Sequence, residues 1–443
     1  MSQTTLFIAE KPSLGREVAK GLGGGRPQDG FIECNGGNVV TWCFGHLLEQ
    51  APPEAYDPVL KRWDIGHLPF VPEKWIMESK RDSRKQLSLI GKLLRQADTV
   101  VNAGDPDREG QLLVDEVLEH FRYKGRVLRV LLPSLDPKSV AKGLANLRDN
   151  AEFRGMSDAA RARSRADWII GMNLTRAATV HGSNCGVVGQ GQVLSMGRVQ
   201  TPTLGLVVMR DREIENFVPK DFFVPEITVE HANGTFTAVW VPKEGSPGVD
   251  AEGQLIDEGV ANALSEKVKG QQGSIVSAEY KEKKQGPPLP HCLSTLQKAA
   301  NKALGLSAQQ TLQAAQSLYE HKVTTYPRSD CQYLPEEQHG DASEILRSLA
   351  GMGIKGASGA DPSLRDRAWN TGKVGAHHAI IPTGLKSSMS DVESGVFRLV
   401  AQAYVRLFHP PYRYISQVVL VSLGGETWRA EGKEVLDMGW RNV

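Results

Sequence analysis

The segment Gly104-Asp105-Pro106-Asp107-Arg108-Glu109-Gly110 gathers carboxylates into one short turn. It follows Asp98–Ala103, which reads as an apolar strand, and opens Gln111–His120, which reads as a helix. Asp105 and Asp107 stand two apart, so an extended segment points both the same way. Crowded carboxylates repel unless a cation lies among them. A hard cation such as Mg²⁺ takes oxygen ligands, keeps several waters and bridges to phosphate. Glu10 closes the first apolar run, Thr5–Ala9, and could reach the same rim. A solvated acidic turn stays open as the plainer reading of this motif alone. Asp105, Asp107, Glu109, Gly110 and Glu116 also match EF-hand spacing. That match fails on context, since a calcium loop needs a helix before it, and Pro106 and Leu113 suit it poorly.

A second candidate lies far away, at Thr324-Thr325-Tyr326-Pro327-Arg328-Ser329-Asp330. A tyrosine hydroxyl can attack phosphorus and form a covalent ester, given help, since the free phenol titrates near pH ~10. Arg328 could clamp phosphate oxygens with its planar fork. Most tyrosines are structural, and that reading competes here. His377-His378 could orient phosphate or shuttle a proton, although paired histidines are more often structural. No G-x-x-x-x-G-K-[ST] or G-x-G-x-x-G follows a strand, so phosphate chemistry here should run without a nucleotide.

These groups must be positioned by larger elements. Residues 1–150 alternate strand and helix: Thr5–Ala9, Ser13–Gly21, Gly30–Cys34, Asn38–Phe44, Arg84–Gln96, Asp98–Ala103, Gln111–His120 and Arg126–Leu132. That rhythm predicts a sheet with parallel strands covered by helices, whose ligands bind at the carboxyl ends of the strands. Residues 151–215 read as helical, with Asp158–Val180 bearing Arg161, Arg163, Arg165 and Arg176. An arginine run is usually a solvated face. Residues 216–282 turn to strands at Phe222–Glu230, Thr235–Val241 and Gly273–Tyr280. Gln285–Pro290 reads as a linker, and 283–408 as mostly helical. Strand character returns over 409–443 at Tyr412–Leu423 and Thr427–Glu431. This pattern predicts a β-rich domain interrupted by a helical insert.

The 443 residues carry a net charge of +1, so any basic nucleic-acid surface must be local. The five cysteines form no C-x-x-C pair, which argues against a disulfide framework or a zinc ribbon. No signal peptide and no bilayer-length apolar run is present, so the expected location is the cytoplasm.

Six segments, in order along the chain, resemble the type IA DNA topoisomerases, most nearly their bacterial topoisomerase III branch. They are Ile8-Ala9-Glu10-Lys11-Pro12-Ser13, the run from Thr41 to Gln50, Ala103–Gly110, Gly197-Arg198-Val199-Gln200-Thr201-Pro202, Thr325–Asp330, and Ala376-His377-His378-Ala379-Ile380-Ile381-Pro382. The resemblance implies a multidomain α/β and α+β protein, built as a type IA ring that is truncated at the C-terminus. Its parts would be a Rossmann-like Toprim metal-binding domain (1–150), the first part of a helical DNA-binding domain (151–215), the first part of a β-rich hinge domain (216–282), a helical domain carrying the catalytic tyrosine (283–408), and the return of the hinge domain (409–443). It implies Glu10, Asp105 and Asp107 as Mg²⁺ ligands with Glu109 beside them. Tyr326 would be the nucleophile that takes a 5′ phosphate, and Lys11 and Arg328 would stabilise charge on that phosphate. His377 would join the pocket, with Gln316 and Glu320 behind it. Ser195, Met196, Gly197, Arg198, Val199 and Gln200 match the family's DNA-binding segment. Arg176 and Arg328 would be further DNA contacts, and Trp63 and Trp168 would offer stacking faces, although a tryptophan is more often core.

The expected reaction is ATP-independent breakage and rejoining of single-stranded DNA by a monomer in the bacterial cytosol, at the nucleoid. It would relax negatively supercoiled duplex or decatenate DNA, with no membrane or nucleotide partner. The alternative is a truncated single-strand-binding or cleaving fragment without strand passage. A Toprim nuclease or primase is a further rival, against which Tyr326 and Arg328 speak.

Overall fold

The computed structural model describes residues 4–375 and 377–443; Ala376, at the head of the double-histidine segment, lies outside the described residues. The chain divides into two compact units. The first takes residues up to Arg210, Pro290–Met352 and Ala368–Ala401. The second takes Asp211–Leu289, Gly353–Arg367 and Gln402–Val443.

The first unit is built on a seven-stranded sheet. Its strands are β1 (Thr5–Ala9), β2 (Gly25–Gln28), β3 (Phe31–Cys34), β4 (Asn38–Trp42), β7 (Thr99–Ala103), β8 (Arg126–Arg129) and β9 (Arg148–Asp149), while β5 (Leu48–Gln50) and β6 (Met77–Ser79) make a separate pair. The sheet order is β2-β3-β4-β1-β7-β8-β9, with β4, β1, β7 and β8 mutually parallel. Alternation along β1 assigns its side chains to two cores. Phe7 and Ala9 join Val101, Ala103, Leu14 and Val18, whereas Leu6 and Ile8 join Val100, Leu87, Ile90 and Val114. Helices therefore cover both faces, as continuous apolar strands such as β7 require.

These helices are α1 (Pro12–Gly21), α2 (Arg84–Leu94), α3 (Arg108–His120) and α4 (Pro137–Ala145). Two long helices follow, α5 (Arg154–Asn184) and α6 (Gln200–Glu215), whose last residues pass into the second unit. After the excursion through the second unit the chain returns with α8 (Leu293–Leu304), α9 (Ala308–Glu320), α10 (Ala342–Gly351) and α11 (Asp391–Val405). No helix among the described residues is long and apolar enough to cross a membrane.

The second unit holds a five-stranded antiparallel sheet in the order β10-β11-β14-β13-β12. Its strands are β10 (Glu226–His231), β11 (Gly234–Val241), β12 (Ser274–Gln285), β13 (Tyr412–Leu423) and β14 (Glu426–Asp437). The helix α7 (Glu258–Val268) contributes Leu264 and Val268 to a core with Ala238, Trp240, Val421 and Trp428.

Several boundaries differ from the sequence expectation. The helix after the acidic turn starts at Arg108 rather than Gln111, because the Asp107 carboxylate caps it by accepting from the Gly110 amide at 2.7 Å. The arginine-bearing helix extends over Arg154–Asn184, beyond Asp158–Val180 at both ends. Within the stretch expected to be mostly helical, residues 353–367 contain only the short turn Ala357–Gly359 and fold with the second unit.

Candidate active site

The site begins with a register. Ala9 of β1 stands beside Ala103 of β7, so the residues leaving these strands, Glu10 and Gly104-Asp105, emerge together at the carboxyl edge. The Asp105 amide donates to Glu10 Oε2 at 3.2 Å. The turn between Asp105 and Gly110 is too tight for side chains at two points. A Cβ on Gly104 would stand 2.1 Å from the Gly110 carbonyl oxygen, and one on Gly110 would stand 2.4 Å from the Asp105 carbonyl oxygen.

Beneath the turn lies Arg129, a residue the sequence did not mark. It is 1% exposed and donates to the carbonyls of Asn102, Gly104, Asp105 and Val130 at 2.7–3.1 Å. Burial pulls its guanidinium down to about 10, while Asp115 and Asp105 oppose that fall. A buried arginine bonded to backbone has no signature in a single sequence. Its strand carries an arginine at each end, Arg126 and Arg129, and nothing in the sequence tells the two apart.

Three carboxylates meet here. Burial raises Glu10 to about 7, with Asp105 and Asp107 adding repulsion. Burial raises Asp105 as well, although Lys11 opposes it. Asp105 Oδ1 is buried with no hydrogen-bond partner, while Oδ2 lies 3.6 Å from Lys11 Nζ. Lys11 also reaches Glu320 at 3.5 Å, and Gln316 donates to Glu320 at 3.0 Å. A polar chain thus runs Gln316–Glu320–Lys11–Asp105. Among the described residues no three His, Cys, Asp or Glu side chains stand as a closed metal cage. The chemistry of the set still fits a divalent cation, since it holds an orphaned buried carboxylate oxygen and a mutually repelling trio with a single lysine beside it.

Tyr326 arrives on a segment pinned from both sides. Its amide donates to the Pro133 carbonyl at 3.1 Å, and the Thr325 amide donates to Ile381 at 2.9 Å. The ring packs edge-on against Tyr319 at 5.5 Å and stacks on His377 at 4.6 Å. Its hydroxyl donates to Asp107 Oδ2 at 2.6 Å. Burial, then Asp105 and Asp107, hold the phenol far above its usual range. His377 is 7% exposed, and neither ring nitrogen has a partner. Burial lowers its affinity for a proton, so a neutral imidazole faces the site.

Beside the tyrosine a cleft of about 930 Å³ opens between Asp107, Arg108, Glu109, Arg163, Asp167, Arg328 and His377, among others. Arg328 is exposed at its wall. Glu109 lines the same cleft as Asp107. It turns to Arg163 at 3.4 Å and His46 at 3.9 Å.

The segment Ser195–Gln200 lies against α5. Thr175 Oγ1 donates to the Met196 carbonyl, and the Met196 amide donates back to it. Arg198 Nε pairs with Asp167 at 2.7 Å, and Gln200 donates to Ser195. Gly197 donates to Thr201, and Val199 is 56% exposed. Trp63 is 37% exposed and carries the Arg176 guanidinium over its face at 5.3 Å. Trp168 is half-buried among Tyr56, Phe70 and Trp75. Arg176, expected as a strand contact, is turned inward. It is 6% exposed and donates to the Leu60 carbonyl at 2.5 Å, so its charge serves packing under Trp63.

A family model for the Toprim domain matches residues 5–133, and one for DNA topoisomerase matches residues 151–443. The DNA topoisomerase 3 of Vibrio cholerae is 43% identical, the match covering 99% of this chain and 70% of that protein. That of Salmonella typhimurium is 45% identical over 99% and 69%. Full-length topoisomerase I from Thermotoga maritima matches in fold, with a TM-score of 0.67 at 21% identity, over 99% of this chain and 67% of that one. With a Toprim sheet that sets three carboxylates beneath a buried tyrosine, and with these relatives, the chain belongs to the type IA DNA topoisomerases, close to bacterial DNA topoisomerase III.

Proposed function

We propose that the chain cuts and reseals one strand of DNA on Tyr326, using the carboxylates of Glu10, Asp105 and Asp107 to hold Mg²⁺. The carrying observation is the 2.6 Å hydrogen bond from the Tyr326 hydroxyl to Asp107, which joins residues 219 apart in sequence. The phenol oxygen attacks phosphorus, and the bond from phosphorus to the 3′ oxygen breaks. The 3′ oxygen leaves as a hydroxyl, while the 5′ phosphate stays on Tyr326. One ester replaces another, so the reverse step reseals the strand without a nucleotide.

Asp107 accepts the phenol's hydrogen bond and is placed to take its proton. Lys11 and Arg328 bring positive charge to the phosphate, and the neutral His377 can donate to a phosphate oxygen from an unpartnered ring nitrogen. Glu320 and Gln316 hold Lys11 in place. Bound Mg²⁺ would neutralise the carboxylate trio and the phosphate charge, the role that hard cations serve at phosphoryl groups. The phenol rests directly on Asp107, so a strand enters only when the tyrosine segment withdraws.

Arg163, Arg328 and the Ser195–Gln200 segment, with Trp63 and Trp168, are the groups we assign to the strand near the cleft. The five sequence-derived domains, a monomeric state, the cytosolic location and the relaxation of negative supercoils or decatenation belong to the same proposal. Negatively supercoiled plasmid incubated with Mg²⁺ should relax in steps of one link, and a chelator should stop it. Relaxation that persists in excess chelator would remove the metal from this account.

A further inference from the structure

The second sheet carries a basic face that the cleavage chemistry does not use. Register across β12, β13 and β14 sets Lys283 opposite Tyr414 and Val435, Lys281 opposite Ser416 and Lys433, and Gln285 opposite Tyr412. Directly paired residues share a sheet face, so Lys281, Lys283, Lys433, Tyr412 and Tyr414 lie on one side. Lys433 Nζ sits 3.9 Å from the Tyr414 ring centroid and 5.1 Å from that of Tyr412. Arg441 covers Tyr412 at 3.8 Å and bonds to the Gln285 side chain at 2.8 Å.

The acids on this face are already engaged. Glu279 accepts from Lys281, and Glu431 pairs with Arg429, both at 2.6 Å. Lys283, Lys433 and Arg441 are exposed and have no carboxylate partner among the described residues. Tyrosine rings fix two of these cations by cation–π contact, so little side-chain freedom is lost when an anion arrives. A solvated charged face would show flexible cations interleaved with acids. This face shows anchored cations whose neighbouring acids are occupied.

We propose that the Lys283–Lys433–Arg441 face of the second sheet binds the phosphate backbone of single-stranded DNA. The occupant follows from charge complementarity together with the DNA reaction proposed above, on which this inference rests. Contacts of this kind go to phosphates and carry no sequence preference.

The test is the salt dependence of binding to an oligothymidylate about 30 nucleotides long, followed by fluorescence anisotropy in chelator with the full chain. Removing three phosphate contacts should flatten the plot of log K against log[salt] by about 2, at roughly 0.7 per contact for single strands. Lys283→Ala/Lys433→Ala/Arg441→Ala is the main variant. Lys283→Ala/Lys433→Ala, whose residues make no side-chain hydrogen bond among those described, should give about two-thirds of that change. Lys85→Ala/Lys138→Ala/Lys142→Ala removes equal charge elsewhere and should leave the slope as it was. An unchanged slope in both face variants overturns the proposal, as does an equal flattening in the control triple. Adduct formation with Mg²⁺ is scored in parallel. A chain that forms the Tyr326 adduct yet keeps its slope loses only this face, whereas a chain without the adduct loses the cleavage reading.

Discussion

At the scale of residues, the acidic trio and the tyrosine impede each other until positive charge enters. Burial, with three nearby carboxylates, keeps the Tyr326 phenol protonated, and burial, then repulsion from Asp105 and Asp107, lifts Glu10 to about 7. His378, next to the pocket, gives a cleaner handle. It is buried against the Ala379 carbonyl at 2.8 Å, and burial lowers it to about 4. The unfolded imidazole takes up a proton near pH ~6.5, the folded one only near 4. Between those values the unfolded state binds more protons, so this contribution is complete above about 6.5 and drains away as pH falls toward 4. Denaturant melts of wild type and His378→Gln at both ends of that window should differ in acid sensitivity by roughly 3 kcal/mol. Parallel pH profiles would contradict the assignment.

At the scale of elements, the acidic turn depends on two glycines and one arginine. Gly110→Ala forces a Cβ to 2.4 Å from a backbone oxygen. It should cost roughly 2–4 kcal/mol in thermal or denaturant unfolding and should abolish cleavage. Gly155→Ala, in open space on α5, should be neutral or stabilising by up to about 1 kcal/mol. Equal effects of the two would refute the close approach at the turn. The sequence made much of this level legible. Strand–turn–helix at Thr99–His120 was visible in hydrophobic pattern, and the carboxylate spacing was visible directly. Arg129 was not, because its partners are backbone carbonyls brought near by sheet pairing. The inward turn of Arg176 was equally hidden, since periodicity does not tell which long side chain finds a carbonyl.

At the scale of the whole molecule, the first unit is assembled from three stretches of chain, and Tyr326 lies in the second of them, after Asp211–Leu289 of the second unit. No local pattern reveals that residue 326 meets residue 107; the resemblance assigned both to one reaction, and the hydrogen bond between them comes from the fold. Metal should couple to the folding of this unit. Saturating Mg²⁺, at about a hundred times its dissociation constant, should stabilise the protein by roughly 2.7 kcal/mol. Asp105→Asn/Asp107→Asn should lose that gain in a melting experiment, and an undiminished gain would place the cation elsewhere. The most direct measurement uses a single-stranded oligonucleotide labelled at its 3′ end, incubated with Mg²⁺ and quenched with denaturant. The label should travel with the protein and map by peptide digestion to Tyr326, and Tyr326→Phe should carry none. Label on Tyr326→Phe, or on a different residue of the wild type, would contradict the account.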